Sequence, residues 1–203
     1  MSLLALSADS LLDRFASQDP TPGGGSAAAL AGALAAALVE MVASLPKTRT
    51  GDASEREKLD AAKASAAVAG ARLRRLVDLD TDAYNAVTAA YKLPKATDDE
   101  KAARSAAIKA AMRQATDVPL ETCERAADVL RAAAQALAHG NPNAASDART
   151  AIALCRAALD AGAENVRVNV SSPSLAAEAP LLLARLETIR LPLDSMLANP
   201  NRK

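Results

Sequence analysis

The chain has 203 residues, with 24 basic and 24 acidic side chains, one histidine, and half of its residues hydrophobic. That length supports one domain with a real core, or a subunit that completes its core by oligomerising. The even charge balance, with neither half strongly basic, argues against a nucleic-acid binder. Only Phe15, Tyr84 and Tyr91 are aromatic, and much of the apolar content is alanine. The composition predicts an all-α protein, its helices packed closely through Ala and Gly ridges with Leu and Val filling gaps, rather than a sheet.

The first residues lack a basic segment followed by a sufficient apolar run, so no signal peptide is expected. A short amphipathic helix is predicted from about Asp9 to Ser17, with Leu11, Leu12 and Phe15 on its apolar side. Asp19-Pro20-Thr21-Pro22-Gly23-Gly24-Gly25 is a turn with strong breakers. A second helix starts at Gly25 or Ser26 and ends near Pro46. Its Ala/Leu stretch, Ser26 to Leu45, is long enough to raise a membrane reading. Glu40 interrupts it and alanine contributes weak insertion energy, so a buried bundle helix is the better reading. After a polar loop, Lys47 to Asp52, either Asp52 or Ser54 caps a third helix; Ser54 and Glu57 have capping-box spacing. That helix can run to Lys92, about 60 Å if unbroken, with Gly70 as a candidate bend and Leu93-Pro94-Lys95 as its close.

Thr97-Asp98-Asp99-Glu100 starts a fourth helix, with acids that suit the dipole. Asp117-Val118-Pro119 either kinks it or starts a new one. The pattern resumes through Leu120, Cys123, Ala127, Leu130 and Leu137, and stops at His139-Gly140-Asn141-Pro142. Two further helices are predicted, from about Asn143 to Val170 and from about Ser174 to Leu197. With no repeat and no linker, residues 1–203 read as a single domain. The expected architecture is an antiparallel up-and-down bundle of about five main helices plus the short N-terminal one.

The third helix carries the chemical signal. Positions three and four apart give Leu73, Val77, Asp80, Tyr84, Val87 and Tyr91, an apolar stripe with one carboxylate inside it. Asp78 and Asp82 lie off that stripe, pointing well away at about 100° per residue. An acid facing a core is costly unless paired, protonated or put to use. Asp80 is therefore the catalytic candidate; the alternative is a buried acid held by helix-end N–H groups or by an arginine.

Other residues carry weaker signals. The run Thr21-Pro22-Gly23-Gly24-Gly25-Ser26 before a helix lets backbone N–H groups turn toward an anion, or it simply permits close helix contact. A helix rather than a strand precedes the glycines, which excludes the dinucleotide fingerprint, and the Gly-Lys-Ser/Thr ending of a Walker loop is missing. Lys47, Arg49, Lys92 and Lys95 sit at two helix ends, where they can hold an anionic tail or stay solvated. Asn141, Asn143 and Asp147 surround a helix start, where capping explains one of the two Asn residues and the dipole suits Asp147. Asn165 and Asn169, four apart, can bind a polar heterocycle or bridge two helices. His139 precedes a helix-ending glycine, a dipole-favoured place. Cys123 and Cys155 read as reduced core residues of a cytoplasmic protein, and with one histidine no protein-bound zinc is expected.

Taken in order, these motifs resemble a known family. Pro20-Thr21-Pro22-Gly23-Gly24-Gly25-Ser26-Ala27-Ala28-Ala29 resembles the opening of the formiminotetrahydrofolate cyclodeaminase/methenyltetrahydrofolate cyclohydrolase family, and Leu76-Val77-Asp78-Leu79-Asp80-Thr81-Asp82-Ala83-Tyr84 looks like its acidic helix. Leu93-Pro94-Lys95, Thr116-Asp117-Val118-Pro119-Leu120, Gly140-Asn141, Ser146-Asp147 and Asn165-Val166-Arg167-Val168-Asn169 complete the order, so the likeness covers about residues 8 to 190. The resemblance implies an all-helical, homodimeric enzyme acting on the one-carbon bridge of tetrahydrofolate, with its catalytic aspartate at Asp80. It also implies that neither a metal nor a cofactor besides the folate substrate is needed. The substrate-binding set expected on the matching positions is Pro22, Gly23, Gly24, Gly25, Ser26, Arg49, Tyr84, Lys95, Asn141, Asp147, Asn165 and Asn169. In its lack of a formiminotransferase domain the chain resembles the free-standing bacterial members.

One stretch departs from the pattern. Where the family usually carries a Gly and adjacent basic residues, this chain has Leu45-Pro46-Lys47-Thr48-Arg49-Thr50-Gly51, in which only Arg49 matches a basic position. Three functions follow as expectations: a folate cyclohydrolase, a formimino-folate cyclodeaminase, and a non-catalytic helical binding or assembly protein that kept the fold.

Overall fold

The computed structural model describes the backbone of residues 2–198 and the side chains of residues 2–190. Six α-helices follow one another: α1 (Ala8–Ala16), α2 (Gly24–Ser44), α3 (Ala53–Tyr91), α4 (Asp98–His139), α5 (Ala145–Val170) and α6 (Ala179–Ala198). Short 3₁₀ turns precede α1, α5 and α6. Among the described residues there is no strand; the one extended contact is an isolated bridge between Thr48 and Gly140. The protein is an all-α antiparallel bundle, and α2 lies at its centre against α3, α4 and α5.

Small residues set the spacing. A Cβ added at Gly70 of α3 would stand 2.7 Å from the Ala36 Cβ of α2, and one at Gly32 would meet Leu73 at 3.1 Å and Ala158 at 3.6 Å. The helix axes approach at alanine and glycine, and the fully buried Leu59, Leu73, Leu76, Leu120 and Leu130 fill the remaining space. Gly70 is thus a contact residue inside an unbroken α3 and not a bend. The central α2 has the length and hydropathy to cross a membrane, yet 56% of its most apolar window is buried inside the bundle, in line with the buried bundle helix expected from the sequence.

Caps fix the ends. Asp52, not Ser54, starts α3, its side chain accepting from the Ser54 amide, so the Ser54/Glu57 box does not form. Thr97 and Glu100 form a full capping box on α4.

Pro119 does not start a new helix: α4 is continuous from Asp98 to His139, with the proline inside it. A proline inside a helix leaves the carbonyl four residues earlier without its donor. Here that carbonyl belongs to Ala115, and Asn169 of α5 donates to it through Nδ2 at 2.6 Å. The missing backbone bond is replaced from a neighbouring helix.

Beyond Asp80 the long α3 and α4 outrun the others. Ala90, Ile108 and Ala111 form a second small core at this projecting hairpin, separate from the main one. The predicted stripe on α3 is therefore buried only in its first half: Leu73 and Val77 are inaccessible, whereas Tyr84 and Tyr91 are 44% and 50% exposed. Asp80 stands at the boundary.

Candidate active site

Asp80 meets the start of α2. The amide of Ser26 donates to Asp80 Oδ2 at 2.8 Å, and the Ser26 hydroxyl lies 3.0 Å from the same oxygen. That hydroxyl is also 2.9 Å from the Val77 carbonyl and 3.4 Å from Thr81 Oγ1. Among the described residues no hydrogen bond ends on Oδ1 and no charged partner sits on the carboxylate. Burial pushes the Asp80 carboxyl above its usual range, and the two Ser26 contacts pull the other way. A partly shielded carboxylate with one oxygen tied and one free suits a general base working toward neutral pH.

Gly25 makes this approach possible. A Cβ there would stand 2.0 Å from Asp80 Oδ1 and 2.6 Å from its Cγ, so any side chain at this position displaces the carboxylate. Gly24 is exposed, and its nearest outside neighbour is Asn165 of α5, 3.6 Å from an added Cβ. The first turn of α2, Asp80 of α3 and Asn165 of α5 thus converge. Asn165 is half-buried and donates through Nδ2 to Ala161 O of its own helix at 2.8 Å, leaving its oxygen without a partner among the described hydrogen bonds. Tyr84 lies one turn beyond Asp80 on the same side of α3.

Apart from Gly23, which caps α2, the other expected substrate-binding residues divide into four groups. Ser26 and Pro22 are buried; Ser26 has 0% exposure, so it touches the carboxylate and not a ligand. Asn169 spends its amide on Ala115 O, the helix-bridging alternative. Arg49, Asn141 and Asp147 lie at the opposite end of the bundle. The Arg49 amide donates to His139 O at 2.9 Å and its guanidinium to Leu137 O at 2.7 Å; Asn141 caps the turn before α5, accepting from the Asn143 amide at 3.0 Å; Asp147 is in the first turn of α5. From Ser26 to Leu45 along α2 is about 28 Å at 1.5 Å per residue, so these three and Asp80 cannot hold the same reacting centre within one chain. Linear order concealed this, because antiparallel helices return every second element to the same end. Lys95 is exposed near the tip of the α3–α4 hairpin, where it lines a shallow cavity of about 310 Å³ with Lys101, Arg104, Ser105, Ile108 and Ser174.

A second buried acid gave no sign in the helix pattern. Glu55 is 6% exposed, covered by the loop after α2. It accepts from the Thr50 amide at 2.9 Å, and backbone and hydroxyl donors from Thr48, Thr50 and Gly51 hold its pKa down at about 2. His139 Nδ1 is 3.9 Å away. The available clue was position, three residues after the cap Asp52. This cluster ties the loop to the start of α3. Cys123 and Cys155 are buried free thiols pushed up to about 12 by burial, core residues rather than nucleophiles. Among the described residues no group of three or more His, Cys, Asp or Glu side chains comes together.

Comparison with known proteins gives a consistent picture. The sequence profile of the formiminotransferase-cyclodeaminase family matches residues 7–181. A methenyltetrahydrofolate cyclohydrolase of Methylorubrum extorquens is 40% identical over 179 residues, covering 88% of this chain and 86% of that protein. The formimidoyltransferase-cyclodeaminase of Mus musculus is 35% identical over 174 residues; the match takes in 83% of this chain but 31% of the mouse protein. The crystal structure of a formiminotetrahydrofolate cyclodeaminase from Thermotoga maritima superposes with a TM-score of 0.75 at 26% identity, covering 97% of this chain and 98% of the other.

Proposed function

The chain belongs to the formiminotransferase-cyclodeaminase family, and on that premise we propose that it hydrolyses 5,10-methenyltetrahydrofolate to 10-formyltetrahydrofolate. Asp80 is the acid–base group, and the folate is the substrate with no separate cofactor. The observation that carries this reading is the Asp80 carboxylate, half-buried at the mouth of α2 with Oδ1 unbonded. The cyclohydrolase relative, matched over most of both chains, favours hydrolysis.

The substrate bridge is an amidinium cation, which a lone carboxylate attracts. Asp80 removes a proton from water as the water oxygen bonds to the bridge carbon. The protonated acid returns that proton to N5 as the carbon–N5 bond breaks, and the carbinol hydroxyl loses its own proton to solvent, leaving the formyl group on N10. One proton is released overall. Asn165 and the exposed Gly24 backbone flank the approach. The methenyl absorbance falls on incubation with enzyme if this is right; an inactive, folded wild type with no calorimetric folate binding would favour a non-catalytic bundle.

The Thermotoga maritima neighbour favours a second reading, a formiminotetrahydrofolate cyclodeaminase. There N10 attacks the formimino carbon, Asp80 takes the N10 proton and passes it to the amino nitrogen, and that nitrogen leaves as ammonia as its bond to carbon breaks. Supplied with the formimino substrate, such an enzyme makes the methenyl absorbance rise.

The same proposal includes a cytoplasmic homodimer. The outward side of α2 carries Ala27, Leu30, Leu34, Leu38 and Met41 at helical spacing, with Leu34 52% and Met41 40% exposed. Exposed Gly24 heads this stripe. A two-fold axis crossing the middle of α2 would cover it and lay the loop after the partner's α2 alongside Gly24. Such pairing brings the end that carries Arg49 to the end that carries Asp80. Sedimentation of wild type against Leu34→Glu tests it, the variant being expected to sediment as a monomer.

A further inference from the structure

Every polar contact of Ser26 serves the carboxylate or its helix. Its amide and its hydroxyl both reach Asp80 Oδ2, at 2.8 Å and 3.0 Å, and neither reaches Oδ1. The hydroxyl has one proton and, besides Oδ2, two further oxygens within reach, the Val77 carbonyl at 2.9 Å and the more distant Thr81 Oγ1 at 3.4 Å. The residue is fully enclosed, so these alternatives are decided inside the protein and not by solvent.

We propose that Ser26 is a positioning residue that holds Oδ2, reserves Oδ1 for proton transfer, and moves its hydroxyl proton between Asp80 and Val77 as the base changes state. While Asp80 is ionised, the hydroxyl donates to Oδ2. When Oδ1 takes a proton from water, Oδ2 loses most of its charge and the hydroxyl turns to the Val77 carbonyl. No side chain has to move, because both acceptors already lie within hydrogen-bond distance. The inference rests on the reading of Asp80 as the acid–base group.

Within one chain the surroundings leave Ser26 as the main polar control of this carboxylate. On α3, Asp78 is half-buried and accepts from the Leu3 amide at 2.7 Å, and Asp82 is exposed. On α2 the only charged residue is Glu40, about 21 Å along the axis. On α5, Glu164 and Arg167 pair with each other; on α4, Arg113 pairs with Asp117 and Glu178. Burial raises the Asp80 carboxyl, and the two Ser26 bonds oppose it.

The test compares wild type with Ser26→Ala and Ser26→Cys, reading kcat and KM against pH together with the Asp80 carboxyl titration by carbon-13 NMR on aspartate-labelled protein. Asp80→Asn assigns the signal. Loss of a hydrogen bond to the charged form raises the Asp80 titration by about one pH unit in Ser26→Ala, a tenfold change in its ionisation constant. The weaker thiol donor gives an intermediate value. The acid limb of kcat moves with the titration, kcat at neutral pH falls by about tenfold, and KM changes little. A folded variant whose Asp80 titrates where wild type does, or whose KM alone rises, overturns the inference. The NMR titration needs no turnover, so an inactive wild type would remove the cyclohydrolase reading while leaving the coupling of Ser26 to Asp80 measurable.

Discussion

Asp80 gives α2 the acceptor that its own N-cap lacks: Gly23 caps the helix without a side chain, and the amide of Ser26, third in the helix, donates to Asp80 Oδ2 at 2.8 Å. A capping serine or aspartate would bond the same kind of amide from within the chain segment. Here the acceptor comes from the middle of α3, 54 residues away. The carboxylate therefore has a structural role through one oxygen and a chemical one through the other.

That division predicts the behaviour of Asp80→Asn. The amide oxygen still accepts from Ser26, so the protein folds, but the base is gone; kcat falls by about 10²–10⁴-fold, measured by methenyl absorbance. Its melting temperature at neutral pH equals or exceeds that of wild type. The folded-state pKa of Asp80 is raised by burial, so its contribution to stability is fully present below the unfolded pKa and is lost as pH rises through the folded value. An asparagine has no such loss. The two proteins should converge in stability at acid pH, as thermal melts across pH will show.

Gly25→Ala and Gly24→Ala separate space from helix propensity. An alanine Cβ at Gly25 overlaps Asp80 Oδ1, whereas one at Gly24 meets nothing closer than 3.6 Å. Gly25→Ala should lower kcat by about 10²-fold through a displaced carboxylate. Gly24→Ala should keep most of kcat and melt no lower than wild type. Equal kinetic losses in both would show that backbone freedom, not the clash, matters.

Asn169→Leu should destabilise the fold by about 1–3 kcal/mol, because the Ala115 carbonyl, left without a helical donor by Pro119, loses its substitute as well. The double variant with Pro119→Ala restores the backbone donor and should recover most of the loss. Urea titration of both decides it.

Glu55 sets the acid sensitivity. Its folded pKa of about 2 lies below the unfolded carboxylate value of about 4.3. Its contribution is present above about pH 4.3 and disappears as pH falls toward 2. Glu55→Gln should flatten the fall in melting temperature across that window, as thermal melts between about pH 2 and about pH 5 will show.

Subunit mixing tests whether the two ends meet across a dimer. Arg49→Ala and Asp80→Asn homodimers should each have low activity. After mixing and exchange, activity should rise toward about a quarter of wild type, from the hybrid sites that carry neither substitution. No recovery despite confirmed exchange would place the whole site in one chain and leave Arg49 to its contacts with Leu137 and His139.

Much of this protein is written locally. Alanine content, the Pro-Gly turns and the capping residues place the helices, because helix propensity and breakers act over a few residues. The stripe on α3 singled out Asp80, because a carboxylate among alkyl side chains is visible from periodicity alone. The fate of Pro119 was not visible: a helix-breaking proline is tolerated only because Asn169, 50 positions later, stands opposite Ala115. Nor was the burial of Glu55, which depends on a loop folding over it and not on any face of α3.

By itself, then, the sequence determined the all-helical class, the order of helices and the identity of the candidate base, since each follows from residue type and short spacing. Only the tertiary structure decided which residues share a site. Close packing at Gly25, Gly32 and Gly70 brings Ser26 to Asp80 and Gly24 to Asn165, while the antiparallel path carries Arg49, Asn141 and Asp147 to the far end. Contacts of this kind depend on how helices separated by many residues lie against one another, and no local pattern encodes that distance.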